Sequence, residues 1–345
     1  MIYNVKQYYD DINESLTNNC YEELKNKSIL VVGANGLIGS SIIDVLNYLN
    51  VKKDYNISII GTVRNKNNIL DRFNTYSNLK IIEYDVNNKL ELDDNINYII
   101  NAASNSHPQK FSSNPVETIV TNFIGTKNLL DYTKNNYCDR FLYVSSGEIY
   151  GQGGEDIEAF KEDYSGYIDS TNSRSCYPIG KLSAENLCVC YHNQYGIDTV
   201  ICRPCHTYGP TQTDSDSRVS AQFINNVLND KDIIMKSEGS QIRSYCYVLD
   251  CVTGLLRVLV SGKSAEAYNI SNNNSVLSIR EMAEIIATTY GKKVIFELPE
   301  EDEKKGYNPV TRSVLDGSKL EKLGWKPCFD FKKGITHTLK IMKQK

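Results

Sequence analysis

An α/β fold built on a doubly wound parallel sheet, with a smaller C-terminal α/β lobe, is what these 345 residues predict, on three observations. Short apolar runs of strand length alternate with segments whose apolar residues return at helical spacing. The first such run empties directly into a turn with three regularly spaced glycines. The runs that follow end in small or polar residues, and open parallel sheets bind ligands beyond the C-terminal ends of their strands.

The first run is Ile29-Leu30-Val31-Val32, unbroken and apolar, as a strand buried on both faces requires. Gly33, Gly36 and Gly39 follow in a G-x-x-G-x-x-G pattern, and Ile38, Ile42, Ile43, Val45, Leu46 and Leu49 then recur at helical spacing. A strand, a glycine turn and a helix in this order are the context of a dinucleotide cradle. Gly33 permits the tight turn, Gly36 lets backbone N–H groups approach a pyrophosphate, and Gly39 lets the helix pack close to the strand. Asn35, Leu37 and Ile38 belong to the same cradle, at the helix N-terminus that faces the anion.

Further strands are expected over 57–63, 80–84, 98–100, 141–144 and 199–203. The second ends at Arg64 with no acid beside it, which leaves NADP open alongside NAD. The third delivers Asp85 and Val86 into a loop, the fourth Ala102, Ala103 and Ser104, and the fifth Ser145, Ser146, Gly147 and Glu148. Helices are expected over 115–130, from Pro178, over 219–228, 252–260 and 279–290, and after Gly324-Trp325. Residues 1–27 form a helical lead-in, and 28–204 a dinucleotide-binding domain to which 240–262 return. Residues 205–239 and 263–345 make the substrate lobe, with a charged loop through Lys305.

Composition narrows the function. A net charge of -4 and a pI near 5.7, with no basic tract, give nothing for nucleic acid to bind. No apolar run reaches membrane-spanning length and the first residues lack a signal-peptide core, so a cytoplasmic protein is expected. The ten cysteines, scattered and several inside apolar segments, read as reduced core residues. Cys202 and Cys205 are formally C-x-x-C, but no second pair accompanies them and no metal is expected.

Tyr177 and Lys181 stand four residues apart at the start of a helix, which puts both on one face. A cationic lysine near a phenol favours the phenolate, so the spacing predicts a Tyr177 pKa lowered toward the working pH. Such a phenol is a credible base for a sugar or alcohol hydroxyl.

The glycine turn, Ser146-Gly147-Glu148-Ile149-Tyr150-Gly151 and Tyr177-x-x-x-Lys181 together resemble the extended short-chain dehydrogenase/reductases, over residues 28 to about 340. This family of nucleotide-sugar epimerases, dehydratases and decarboxylases has a Rossmann-type fold. The resemblance implies that Ser146, Tyr177 and Lys181 form the catalytic triad on a bound NAD. It also implies that Asp85, Val86, Ala102, Ala103, Ser104, Asn122, Ser145 and Arg203 line the cofactor. Reaction would begin by hydride removal from the sugar 4-position while Tyr177 takes the hydroxyl proton. Glu148 matches the dehydratases and UDP-glucuronate decarboxylases, and Gly147 stands where dehydratases carry the acid that expels the 6-hydroxyl. Decarboxylation is therefore the nearest match, supported by the run 167–181, with 4-epimerase, 4,6-dehydratase and NADPH-dependent keto-sugar reductase as alternatives. A non-catalytic nucleotide-binding regulator is the rival from another class.

The same resemblance places Arg243 and Arg312 on the substrate diphosphate, with Arg218 nearby and His107 beside the sugar. His206 stands where relatives usually carry an Asn that contacts the substrate phosphate, and Lys236 where UDP-specific members often carry an aromatic that stacks on uracil, so the nucleotide base is left open. A homodimer through the helices 116–130 and 178–191 is likewise implied.

Overall fold

The computed structural model describes residues 2, 5–106, 108–154, 156–213, 215–297 and 310–344. Seven parallel strands form the central sheet: β1 (Ser28–Val32), β2 (Ser58–Val63), β3 (Leu79–Glu83), β4 (Tyr98–Asn101), β5 (Arg140–Val144), β6 (Thr199–Pro204) and β10 (Ala267–Ile270). Their order is β10-β6-β5-β4-β1-β2-β3, so the chain leaves β1 to one side and returns at β4 to the other. Ligands of open α/β sheets bind at that reversal, beyond the strand C-termini. Every run that ended in small or polar residues is one of these strands.

Helices α2 (Leu37–Lys53), α4 (Pro115–Asn135), α5 (Cys176–Tyr195) and α7 (Val248–Ser261) cover the sheet. α4 packs along α5 on one side and α7 packs on α2 and β6 on the other. Gly180 allows the first close approach, since a methyl group there would lie 3.2 Å from the Asn122 Cβ and the Ile119 Cα. The short α3 (Pro108–Ser113) leads into α4.

The smaller lobe holds two further sheets. β9 (Ile242–Tyr247) pairs with β7 (His206–Tyr208), β11 (Val276–Ser278) and β13 (Arg312–Ser313), while β8 (Ile233–Met235) pairs with β12 (Val294–Phe296). Helices α6 (Val219–Leu228), α8 (Ile279–Thr289), α9 (Ser318–Glu321) and α10 (Phe331–Lys343) complete it. Two expected boundaries shift. Of 240–262, only α7 packs on the large sheet, because β9 spends its hydrogen bonds within the small one. β10, expected in the lobe, is the edge strand of the large sheet, with Tyr268 opposite Cys202. The charged loop through Lys305 lies mostly outside the described residues.

The lead-in forms α1 (Lys6–Ser15), held by buried polar contacts rather than by apolar burial alone. The Tyr8 hydroxyl donates to Asp44 at 2.8 Å, and Asp44 also receives Arg72 at 2.9 and 3.0 Å and Tyr76 at 2.8 Å. A buried carboxylate needs such saturation to offset the loss of its water. Trp325 is fully buried and donates to Thr253 at 3.1 Å, locking the C-terminal segment to α7. No helix among the described residues is long and apolar enough to cross a membrane.

Candidate active site

The glycine turn joins β1 to α2 as its spacing predicted. Gly33 sits at φ +89°, in the left-handed region, with a built Cβ only 3.0 Å from the Ala103 backbone. At Gly39 a methyl group would overlap the Gly33 carbonyl oxygen. Gly36, the N-cap of α2, differs. The nearest atom to a built Cβ there is the Gly33 oxygen at 3.4 Å, so its outer side is open at a helix N-terminus. Leu37 and Ile38 open the helix. Asn35 donates to the Asn68 carbonyl at 2.6 Å while its own buried Oδ1 has no partner.

Beyond the other strand ends the backbone is lined by small side chains. Ala102 and Ala103 lie against the glycine turn, and the Ser104 hydroxyl donates to Asn122 at 3.0 Å. Asn122 is buried on α4, and its amide donates to Thr118 at 2.8 Å. Arg64 is exposed just past β2. Asp85 is exposed and accepts the Asn87 N–H at 3.0 Å; Val86 is buried, and its carbonyl accepts from Asn128 at 2.9 Å.

Tyr177 and Lys181 open α5, and β5 delivers Ser145 and Ser146 opposite them. Lys181 is 2 % exposed and donates to the Val144 carbonyl at 2.7 Å, with its ammonium 5.7 Å from the Tyr177 ring centre. Burial pushes its pKa down to about 7, opposed by the charge of Glu185. The expectation of a lowered Tyr177 pKa is corrected. Burial, then the charge of Glu148, raises the phenol above its ordinary value, and a hydrogen bond with Ser146 opposes them. The lysine does not override this because its own charge is desolvated and turned to a backbone carbonyl.

Ser146 caps the 3-10 turn 147–150, accepting the Glu148 N–H at 3.2 Å. The Ser145 Oγ is buried without a partner. At Gly147 a Cβ would stand 2.7 Å from the Leu315 Cδ1, so an acid there would require that side chain to move. Glu148 is half-buried, and burial raises its carboxyl pKa, opposed by Arg174 and Arg243.

On the lobe side, Arg243 is buried on β9 and donates to the Ile242 and Val310 carbonyls at 2.9 and 2.6 Å. His206, on the adjacent β7, has a buried Nδ1 without a partner. Burial, with Arg243 and Arg218 close by, pushes its pKa down to about 3, so the imidazole is neutral. Arg218 is bound by Asp216 at 2.6 Å and donates to the Thr207 carbonyl at 2.8 Å. Arg312, on β13, donates to the Glu158 carbonyl at 2.6 Å.

Two expected site residues do not join them. Arg203 is buried against Glu185 at 2.7 Å and also donates to the Tyr150 hydroxyl and the Glu162 carbonyl, at 2.9 and 2.8 Å. A guanidinium so engaged ties β6 to α5 instead of lining a cofactor. His107 lies outside the described residues. Two residues were missed: Phe111, whose ring stacks on Tyr177, and Arg174, which faces Glu148. An aromatic in a short helix remote in sequence gives no local signal of that contact.

The open helix terminus at Gly36 and the unpartnered buried oxygens of Asn35 and Ser145 fit a phosphate-bearing dinucleotide, whose anion and hydroxyls would satisfy them. Comparison with known proteins agrees. Residues 29–271 match the NAD dependent epimerase/dehydratase family. The chain is 32% identical over 313 residues to UDP-glucuronic acid decarboxylase 5 of Arabidopsis thaliana, covering 90% of this chain and 87% of that one. Its fold is similar to dTDP-glucose 4,6-dehydratase of Bacillus anthracis, solved with NAD (TM-score 0.77, 23% identity, 92% of this chain and 97% of that one). It is also similar to a UDP-glucuronic acid 4-epimerase of Bacillus cereus, solved with NAD and a fluorinated UDP-sugar (TM-score 0.78, 24% identity, 92% and 99%). The chain belongs to the NAD dependent epimerase/dehydratase family, and is an enzyme that modifies nucleotide sugars with NAD as its cofactor.

Proposed function

We propose that this enzyme decarboxylates UDP-glucuronate through a transient ketone at the sugar 4-position. The observation that carries the reading is Glu148 beside Tyr177, flanked by Arg174 and Arg243, with Leu315 packed against Gly147, the position of the dehydratase acid. The names of the curated relatives, UDP-glucuronic acid decarboxylases, support it.

Gly33, Asn35, Gly36, Leu37, Ile38 and Gly39 would cradle the NAD pyrophosphate, with Arg64 and the loop at Asp85 and Val86 toward the adenosine. Ala102, Ala103, Ser104, Asn122 and Ser145 would line the remainder, and Lys181 would hold the nicotinamide ribose. NAD supplies the hydride acceptor for C4. Tyr177 takes the 4-hydroxyl proton as a phenolate, the form that the positive charge of bound NAD would favour against burial, with Ser146 hydrogen-bonded to the same oxygen. Once C4 is a ketone, the C6 carboxylate is a β-keto acid. The C5–C6 bond breaks, its electron pair passes into the C4 oxygen as an enolate, and CO₂ leaves. Tyr177 and Ser146 donate hydrogen bonds to that oxygen, stabilising charge where it develops. Glu148 orients the carboxylate-bearing end of the sugar; a proton returns to C5, the hydride goes back to C4 and Tyr177 gives its proton back to the C4 oxygen, which yields UDP-xylose and leaves NAD as it began. Arg243 and Arg312 bind the diphosphate, as guanidinium suits, with His206 and Arg218 beside them.

The same reading includes a cytoplasmic homodimer. Val116, Val120 and Phe123, on one face of α4, are 65%, 38% and 37% exposed, and Leu182 of α5 is 37% exposed. Large apolar side chains at i, i+4 and i+7 form a stripe that a second copy would cover. All ten cysteines are free thiols, as a reducing compartment keeps them.

The test is purified protein with NAD and UDP-glucuronate, the product identified by NMR. UDP-xylose is expected. UDP-galacturonate as the sole product would replace the reading with 4-epimerisation.

A further inference from the structure

We propose that Arg174 is a positioning residue that seats the Tyr177 ring through Phe111 and, from its other edge, holds the Glu148 carboxylate. The inference deepens the decarboxylase reading and rests on it for the choice of substrate.

Arg174 lies in the 3-10 turn Ser173–Ser175 just ahead of α5, a turn fixed by the Asn172 carboxamide oxygen, which accepts the Arg174 N–H at 2.9 Å. Its guanidinium carbon stands 4.5 Å from the Phe111 ring centre. The opposite neighbour of Phe111 is Tyr177, with ring centres 4.5 Å apart and planes 19° from parallel. The Cys176 thiol donates to the Phe111 carbonyl at 3.7 Å, tying the aromatic to the same turn of α5. Phe111 is therefore packed between a planar cation and the phenol.

The Arg174 Nη1 lies 3.6 Å from the Glu148 Oε2, with side chains 37% and 35% exposed. Glu148 has four other polar neighbours to answer to: Arg243 from β9, Tyr177 and Cys176 from α5, and Ser146 from its own turn. Of the neighbouring charges, that of Arg174 opposes most strongly the rise that burial imposes on the carboxyl. A single guanidinium thus contacts, directly or through one ring, both groups that flank the reacting end of the sugar. Planarity matters for the stack and charge for the carboxylate, so the two functions separate by substitution.

The experiment compares Arg174→Met, Arg174→Lys and Phe111→Leu with wild type on UDP-glucuronate, recording kcat, KM and the pH profile of kcat/KM. The acid limb is assigned to Glu148 by its loss in the residual activity of Glu148→Gln. Arg174→Met is expected to move that limb up by about one pH unit, because an ionised carboxylate loses its nearest cation. It should also lower kcat about tenfold, with KM changed far less. Arg174→Lys should keep the limb near its wild-type position yet still lose kcat, and Phe111→Leu should lose kcat with the limb unmoved. An unmoved limb and a kcat within about twofold of wild type in Arg174→Met would overturn the proposal. If wild type releases no CO₂ from UDP-glucuronate, the decarboxylase reading falls separately. The same profiles are then taken on the nucleotide sugar whose C4 oxidation reduces the nicotinamide, and the same outcomes decide Arg174.

Discussion

The Phe111 and Tyr177 rings lie stacked, 4.5 Å between centres and 19° from parallel. The phenol therefore owes its position to packing as well as to hydrogen bonding, a pair worth about 1 kcal/mol beyond area burial. Removing only the hydroxyl leaves the ring in place.

Tyr177→Phe should accordingly preserve the fold and the NAD content while lowering kcat by about 10³, the scale of a lost general base. Cofactor released on denaturation and steady-state turnover measure the two separately. Loss of bound NAD in parallel with activity would mean that Tyr177 serves binding instead.

Gly33→Ala is expected to cost about 1–3 kcal/mol, because alanine at φ +89° is strained and its methyl group meets the Ala103 backbone. The turn would shift at the point where Gly36 opens the helix terminus, so NAD affinity should fall with the melting temperature. Calorimetric titration with NAD on the variant checks it.

Lys181 gives a pH signature of stability in protein stripped of cofactor. Its folded pKa is about 7, against about 10.4 unfolded. Between these values the unfolded chain holds the proton and the folded chain does not, so this group's contribution to stability rises with pH across that window. Lys181→Met should remove the rise. The difference in melting temperature between wild type and variant, wild type being the less favoured at neutral pH, should shrink as pH increases above about 7.

Charging the apolar stripe of α4 tests the homodimer. Val120→Lys combined with Phe123→Glu alters side chains 38% and 37% exposed, so the subunit fold should survive. Light scattering should report a dimer for wild type and a monomer for the variant.

Much of the fold was legible because buried parallel strands read as unbroken apolar runs and glycine spacing fixes one turn. Ile29 to Val32 and the turn at Gly33, Gly36 and Gly39 carry both signals. β10 was placed in the wrong lobe because pairing is non-local: nothing in Ala267–Ile270 names β6 as its partner. Arg203 stood at a strand end, where a ligand contact is expected, but Glu185 on α5 neutralises it. Tyr177 was recognised by its spacing to Lys181, yet its pKa was misjudged because sequence distance does not report desolvation. Arg174 and Phe111 went unseen for the same reason as β10, their contact being made only by the folded chain.

The most direct measurement uses UDP-glucuronate carrying ¹³C at C6 and deuterium at C4. Labelled CO₂ should appear in step with UDP-xylose, with the deuterium retained on C4 after its transient removal. Product that keeps the C6 label, or CO₂ released with the C4 deuterium exchanged into solvent, would contradict reversible C4 oxidation coupled to decarboxylation.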